Sequence, residues 1–196
     1  MAEISVEQIK KLKELSGAGL TDAKKALVEA DGDFDKALEA MRKKGLTKAE
    51  KRGDRETREG LVESYIHDGR LGAIVEVNCE TSFVAKTDEF KTLAHQIAMQ
   101  VASMAPLYVS EDDIPEEARA AKIAELEENF KGPENMKEQI LAGQVKKAFS
   151  DKVLLNQPYI LDDSKTVEQF IKEAIAKTGE KITVRQFKRI ELGVTE

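Results

Sequence analysis

Residues Leu61–Asn78 read Leu-Val-Glu-Ser-Tyr-Ile-His-Asp-Gly-Arg-Leu-Gly-Ala-Ile-Val-Glu-Val-Asn. Two runs rich in apolar residues, Leu61–Ile66 and Leu71–Asn78, flank the pair Asp68-Gly69. An Asp-Gly pair between two such runs predicts a β-hairpin with a tight turn. The second run is apolar enough to be a central strand, so this segment predicts that the chain contains a sheet.

Helical patterns follow the hairpin. Thr87 can cap a helix that Pro106 ends, and the apolar residues between them recur at helical spacing. An acidic helix is predicted from about Pro115, and another over Glu134–Phe149. The apolar stripe of the helix between Thr87 and Pro106 consists of Phe90, Leu93, Ala94, Ile97, Ala98 and Val101.

The last forty residues continue this mixture of strands and helices. Val153–Leu161 predicts a strand in which Pro158 marks an edge or a bulge. Thr166 can begin a helix that ends at Gly179, and Lys181–Leu192 predicts a final strand. Residues 61–196 are therefore predicted to form an α+β core domain, in which helices pack on a small antiparallel sheet.

Residues 1–45 predict a separate module of three short helices. Ser5 and Gln8 have the spacing of a capping box, Thr21 can cap the second helix, and Asp33 can cap a third that closes near Gly45. Each helix carries one apolar stripe, and three such stripes can bury one another. The stripes are Val6, Ile9, Leu12 and Leu15; Ala23, Ala26, Leu27 and Ala30; and Phe34, Ala37, Leu38 and Met41.

Residues 46–60 are predicted to be a basic linker between the module and the core domain. Arg42–Gly60 contains eight basic and four acidic residues, a net charge of +4, whereas the chain carries −6. The rest of the chain therefore carries −10, which argues against a protein whose main task is to coat nucleic acid. A solvated linker is one interpretation, and an RNA-associated binding protein that uses the basic linker is the alternative.

The sequence offers no set of residues for catalysis or metal binding. His67 and His95 have no second ligand at zinc-binding spacing, and Cys79 is expected to be a half-buried thiol at a strand end. We therefore predict no catalytic residue, no metal and no cofactor. An enzyme for a small molecule, with a pocket near His95 or Cys79, is a second alternative.

Two further features bear on the location of the protein. A single cysteine cannot close an intrachain disulfide, which fits a reducing cytoplasm. No run of about 18 apolar residues is present, so we expect no membrane span.

The stretch Asn78–Lys86 leaves the central strand and enters a helical turn. Its apolar pair Phe83-Val84 lies where helix capping favours polar residues. Two interpretations are open. The pair is either a hydrophobic plug over the end of the sheet or an exposed aromatic wedge at a rigid strand-to-helix corner. Exposed aromatic anchors dominate the energetics of protein interfaces, so the wedge predicts a protein partner.

Four segments resemble, in order, the signatures of the bacterial elongation factor Ts family. The first two are long, and the match runs in order along essentially the whole chain. They are Leu-Lys-Glu-Leu-Ser-Gly-Ala-Gly-Leu-Thr-Asp-Ala-Lys-Lys-Ala-Leu at 12–27, Val-Glu-Val-Asn-Cys-Glu-Thr-Ser-Phe-Val-Ala-Lys at 75–86, Leu-Leu-Asn-Gln-Pro-Tyr at 154–159 and Phe-Lys-Arg-Ile-Glu-Leu-Gly at 187–193.

The resemblance implies a guanine-nucleotide exchange factor for the GTPase elongation factor Tu, located in the cytoplasm and without bond-making chemistry. It implies that the three helices are a ubiquitin-associated-like module and that no direct nucleic-acid binding is needed. The family wedge that disturbs the GTPase Mg²⁺ site corresponds to Thr81, Ser82, Phe83 and Val84. The family residues that dock the module on the GTPase correspond to Lys13, Leu20, Thr21 and Lys24.

The chain departs from the family pattern at a few positions. Ser82 stands where the family usually has Asp, Lys13 replaces a frequent Arg, and Ala23 replaces a frequent Cys. The chain is also similar to the short members, which have one core unit where longer members have two related ones. We therefore expect a non-covalent homodimer through the core domain, in which a second copy covers the exposed sheet.

Overall fold

The computed structural model describes residues 4–16, 18–50, 54–130 and 132–194, without the side chains of 42, 44–50 and 134. The helices in this part of the chain are α1 Val6–Ser16, α2 Leu20–Glu29, α3 Phe34–Glu50, α4 Ser82–Ala85, α5 Asp88–Met104, α6 Glu116–Glu128, α7 Lys137–Ser150 and α8 Val167–Thr178. The strands are β1 Glu59–His67, β2 Leu71–Cys79, β3 Pro158–Tyr159, β4 Asp162–Thr166 and β5 Ile182–Glu191.

The predicted α+β class is confirmed. β2 is the middle strand of a small antiparallel sheet with the order β1-β2-β5, while β3 and β4 form a separate pair. The predicted hairpin turn is also present. Asp68 and Gly69 both have positive φ, +50° and +66°, and the Arg70 amide donates to the His67 carbonyl at 3.0 Å. Two positive φ values in succession give the backbone twist that a two-residue hairpin requires.

Helix α5 follows the sequence pattern closely. The Thr87 hydroxyl accepts a hydrogen bond from the Phe90 amide at 3.2 Å, and the helix ends at Met104, two residues before Pro106. All six predicted stripe residues are buried, none more than 4 % exposed: Phe90, Leu93, Ala94, Ile97, Ala98 and Val101.

The three amino-terminal helices bury a small aliphatic core, as their stripes predict. The predicted capping box is formed, because Ser5 N–H donates to Gln8 Oε1 at 3.0 Å and Gln8 N–H donates to Ser5 Oγ at 3.1 Å. Asp33 accepts from the Lys36 amide at 3.1 Å and so caps α3. The core consists of Ile9, Leu12, Ala23, Ala26, Leu27, Ala37 and Met41.

Three details of the module differ from the sequence prediction. Val6 and Leu15 are 66 % and 50 % exposed, since the narrow core needs only the central two residues of the α1 stripe. The N-cap of α2 is Gly19, and Thr21 lies inside the helix. Helix α3 does not close near Gly45 but continues to Glu50, so residues 46–50 of the predicted linker are helical.

The strand predicted over Val153–Leu161 is wrong for most of its length. Leu154–Asn156 forms a 3₁₀ turn, and only Pro158–Tyr159 pairs as a strand, with β4. The buried Gln157 side chain donates to the carbonyls of Met104 and Asp151, at 3.1 and 2.7 Å. The Gln157 side chain thus satisfies two backbone carbonyls that lie outside the predicted strand.

Contacts divide the chain into two compact units, of which the first holds the three-helix module and helix α4. It comprises Met1–Glu63, Glu76–Gln96 and Gln169–Arg185. The predicted domain boundaries at residues 45 and 60 stay predictions, and residues 51–53 of the predicted linker lie outside the described part.

The second unit holds helices α6 and α7 with a core of their own. The unit comprises Ser64–Val75, Ile97–Glu168 and Gln186–Glu196. Its α6–α7 core consists of Ile114, Val145, Phe149 and Val153, with partly buried residues packed around them.

Gly60 marks a very close approach of β1 to the end of β2. Its φ is +149°, and a Cβ at this position would lie 2.1 Å from the Val77 carbonyl oxygen and 2.7 Å from the Asn78 Cα. Both obstacles are backbone atoms, which cannot swing aside as a flexible side chain does. Only glycine fits both the dihedral angle and the space.

We predict that Gly60→Ala lowers the free energy of unfolding by at least about 3 kcal/mol, because the new methyl group forces the two strands apart. Gly143→Ala is the matched control, since Gly143 lies within α7 with nothing near its missing Cβ. That change should raise stability by about 0.5–1 kcal/mol. Urea unfolding followed by circular dichroism measures both. A Gly60→Ala loss below about 1 kcal/mol would contradict the close approach.

Candidate functional site

At the corner between β2 and α5, threonine side chains bond to the backbone at both ends of the short helix α4. Thr81 is the N-cap of α4, and its side-chain oxygen accepts from the Val84 amide at 3.5 Å. The Thr87 hydroxyl donates to the Val84 carbonyl at 2.8 Å while it caps α5. The chain therefore turns from strand to helix with a side-chain hydrogen bond at each end of α4.

The apolar pair at this corner is divided between core and solvent. Val84 and Ala85 are buried, at 7 % and 9 % exposure, whereas Phe83 is 80 % exposed. A plug over the sheet would bury the aromatic ring, so the geometry favours the exposed wedge. Ser82 is an exposed first residue of α4 and not its cap, since Thr81 takes that role. The missing family Asp therefore does not alter the capping of the turn.

Two glutamates tie this corner to the loop between α8 and β5. The Glu180 carboxylate accepts from the Thr81 amide at 3.0 Å and from the Thr81 hydroxyl at 2.6 Å. The Glu80 carboxylate accepts from the Lys181 amide at 2.6 Å and pairs with Arg55 at 2.9 Å. The sequence does not mark Glu180 as a site residue, because no local pattern connects residues about a hundred positions apart.

Cys79 is a structural thiol and not a nucleophile. It is fully buried, and its Sγ donates to the Thr81 carbonyl at 3.2 Å. Burial, and then the nearby charge of Glu180, raises the pKa of the Cys79 thiol. A buried thiol with a raised pKa forms little of the thiolate that covalent catalysis requires. The expected half-buried thiol is in fact completely enclosed.

Little in the described residues supports a small-molecule enzyme. His95 is half-exposed, with Nδ1 3.3 Å from Glu63 Oε1. No three His, Cys, Asp or Glu residues there lie close enough together to hold a metal ion. One cavity of about 630 Å³ opens between α6 and α7, and another of about 360 Å³ between α5 and α8. Neither His95 nor Cys79 lines either cavity.

The second set of predicted partner-binding residues lies on the module, around the turn between α1 and α2. Lys13 is on the last turns of α1, and the other three are on the first turns of α2. The Ser16 hydroxyl closes the end of α1, because it donates to the Leu12 carbonyl at 2.6 Å. All four residues are exposed: Lys13, Leu20, Thr21 and Lys24. The structure thus presents all four residues of this set to solvent. Of the first set it exposes Thr81, Ser82 and Phe83 and buries Val84.

Comparison with known proteins decides the family. Residues 5–194 match the model of the family described as Elongation factor TS. The chain belongs to the elongation factor Ts family. The resemblance of its four sequence segments is thereby confirmed, and the chain is a translation elongation factor by family.

Curated members of the family match along their length. The chain is 50 % identical to Elongation factor Ts of Thermotoga maritima over 193 residues, which cover 97 % of each chain. It is 50 % identical to that of Moorella thermoacetica over 194 residues, 97 % of this chain and 96 % of the relative. It is 51 % identical to that of Rippkaea orientalis over 199 residues, 98 % of this chain and 80 % of the longer relative.

Two further expectations from the sequence concern a membrane span and the basic linker. In the described part of the chain, none of the helices has the length and apolar character needed to cross a bilayer. The RNA-binding alternative depends on the basic linker, and residues 51–53 and the side chains of 44–50 lie outside the described residues.

Proposed function

We propose that this elongation factor Ts family member is a guanine-nucleotide exchange factor for elongation factor Tu. It binds the GDP-bound GTPase, promotes GDP release and so acts in the cytoplasm, where translation takes place. The observation that carries the proposal is Phe83, 80 % exposed on a capped corner within a family signature. An aromatic ring held in water gains about 1.5–3 kcal/mol when a partner buries it.

The proposed mechanism needs only the coupling of two binding equilibria. Thr81, Ser82, Phe83 and Val84 form the wedge that disturbs the Mg²⁺ site of the GTPase. Mg²⁺ neutralises phosphate charge, so a weaker hold on the ion weakens the hold on GDP. By linkage, GDP and the factor lower each other's affinity by the same ratio. No bond is made or broken, and the chain is therefore not an enzyme in the chemical sense.

We propose that the module docks the factor on the GTPase, so that docking and wedge insertion are separate contributions. Of the four predicted residues, Leu20 offers an apolar contact, and Lys13 and Lys24 offer two positive charges. Lysines steer and orient a partner but do not form the bidentate pairs that arginine forms.

We also propose that the protein is a homodimer through the outer face of its sheet. In β2, Ala73 and Val75 are buried while Ile74 between them is 48 % exposed, so alternate residues point away from the core. Ile66 on β1 and Ile190 on β5 are 71 % and 76 % exposed. Apolar residues on a sheet face favour a partner surface, and a second copy across a twofold axis supplies a matching one.

Phe83→Ala should slow GDP release from elongation factor Tu by at least about tenfold, because the wedge loses its aromatic ring. A tenfold change corresponds to an increase of roughly 1.4 kcal/mol in the activation free energy of release. Stopped-flow release of a fluorescent GDP measures the rate, and circular dichroism checks that the variant is folded. Leu161→Ala is the control, since Leu161 is an apolar residue 57 % exposed elsewhere in the chain. An unchanged rate for folded Phe83→Ala would exclude the wedge.

The double variant Leu20→Ala/Lys24→Ala should weaken docking and leave wedge insertion intact. We expect the concentration of factor that gives half-maximal GDP release to rise about tenfold, while the maximal rate changes less than about twofold. Val28→Ala/Lys36→Ala is the matched control, with an exposed apolar residue and an exposed lysine away from the α1–α2 turn. Equal effects of both double variants would argue against the docking assignment.

Light scattering at micromolar concentration should give twice the chain mass of 21.8 kDa. Ile190→Glu should shift the protein toward the single-chain mass, because it places a charge on the proposed apolar interface. Val6→Glu, a change at an apolar residue of similar exposure on α1, should not. Reductant should have no effect, since the only cysteine is buried. A single-chain mass for the unmodified protein at every concentration would rule the dimer out.

A further inference from the structure

The corner that carries Phe83 is held by a reciprocal pair of contacts with the loop between α8 and β5. Two consecutive residues on each side take part, Glu80 and Thr81 from the corner and Glu180 and Lys181 from the loop. Each glutamate accepts the backbone amide of the opposite pair, at 3.0 Å for Thr81 to Glu180 and 2.6 Å for Lys181 to Glu80. We call these four residues the corner clamp.

We propose that Glu180 is a positioning residue for the wedge, a role that rests on the proposed exchange function. Glu180 touches neither the GTPase nor the nucleotide in this proposal. It acts through Thr81, whose amide and hydroxyl both donate to its carboxylate, at 3.0 and 2.6 Å.

The direction of the Thr81 hydroxyl proton is the main consequence of this contact. A hydroxyl has one proton to donate and lone pairs with which to accept. Because a carboxylate only accepts, the 2.6 Å contact places the Thr81 proton on the side of Glu180. The lone pairs are then free to accept the amide of Val84, the residue after Phe83, and so to start α4. Glu180 thereby fixes the cap that orients the wedge.

The remaining polar group of Thr81 is also engaged. Its carbonyl accepts from Cys79 Sγ at 3.2 Å and from the Ala85 amide at 3.3 Å. The amide, carbonyl and hydroxyl of this one residue are therefore all held by partners within the corner or the loop. A residue fixed in this way cannot rotate without the loss of several hydrogen bonds at once.

A second set of bonds ties the clamp to the segment before β1. Arg55 Nη1 lies 2.9 Å from Glu80 Oε2, and the Lys181 ammonium donates to the Arg55 carbonyl at 2.9 Å. Arg55, Glu80 and Lys181 thus form a closed ring of contacts beside Glu180. Together with Arg55, the clamp joins three stretches of chain that are far apart in sequence.

Helix α4 needs such support because it is only four residues long. A single turn of helix is unstable by itself, since its nucleation fixes several dihedral angles for one hydrogen bond. A wedge that fluctuates must be ordered when it enters the partner, and that ordering lowers the rate. We therefore expect the clamp to affect the insertion step and to leave docking by the module unchanged.

The test compares Glu180→Ala and Glu180→Gln with Glu128→Ala, which removes an exposed carboxylate at the end of α6. Glu180→Ala should lower the maximal rate of GDP release from elongation factor Tu about fivefold, with less than a twofold change in half-saturating concentration. Glu180→Gln keeps one acceptor and should give an intermediate rate. Glu128→Ala should match the unmodified protein.

Two further measurements separate positioning from a general loss of structure. Amide hydrogen exchange of the free protein should become faster over residues 81–86 in Glu180→Ala and remain unchanged in α6 and α7. The double variant Thr81→Val/Glu180→Ala should be no slower in GDP release than the slower single variant, because Thr81→Val already removes the hydroxyl through which Glu180 fixes the cap.

The outcomes distinguish this proposal from the proposed function. If the unmodified protein does not accelerate GDP release, the exchange function fails, and hydrogen exchange still decides whether the clamp orders the corner. If the unmodified protein is active and folded Glu180→Ala and Glu180→Gln release GDP at its rate, the positioning role is wrong. Additive effects in the double variant, or unchanged hydrogen exchange over residues 81–86, would equally overturn it.

Discussion

At the end of β2 the backbone of β1 passes so close to Val77 and Asn78 that position 60 has no room for a Cβ atom. Glycine at position 60 thus allows β1 to lie against the last residues of β2. One residue after Asn78 the strand ends at Cys79, and the chain then turns into α4 with Phe83 exposed. The candidate site therefore begins directly after the strand end that lies against Gly60.

The parts of the fold that sequence reasoning predicts well are those with a strong local cause. The Asp68-Gly69 turn depends on two adjacent residues that tolerate positive φ, and α5 depends on an apolar stripe between a cap and a proline. Val153–Leu161 fails as a strand because its conformation depends on a distant partner. The buried Gln100 side chain donates to the Gln157 side chain and to the Pro158 carbonyl, both at 3.1 Å. No local periodicity contains that information.

The candidate site also has a part that the sequence predicts and a part that only the fold reveals. Phe83 stands out in the sequence because an apolar pair occupies a helix start, but only the fold shows that its ring is exposed. Val84 turns inward and Phe83 outward, which follows from the first turn of α4. No sequence pattern predicts a role for Glu180, since a single glutamate after a helix-ending glycine is common on protein surfaces. Its importance arises from the meeting of two loops, a property of the tertiary structure.

The enclosed cysteine makes the protein a convenient background for chemical labelling. Cys79 is the only cysteine in the chain, and its thiol is fully buried with a raised pKa. Maleimide and disulfide reagents react with exposed thiolates, so they should pass over the native protein. A cysteine introduced on the surface would then carry a fluorophore or spin label as the single modified position. Distances to the Phe83 corner could then be followed without removal of any native residue.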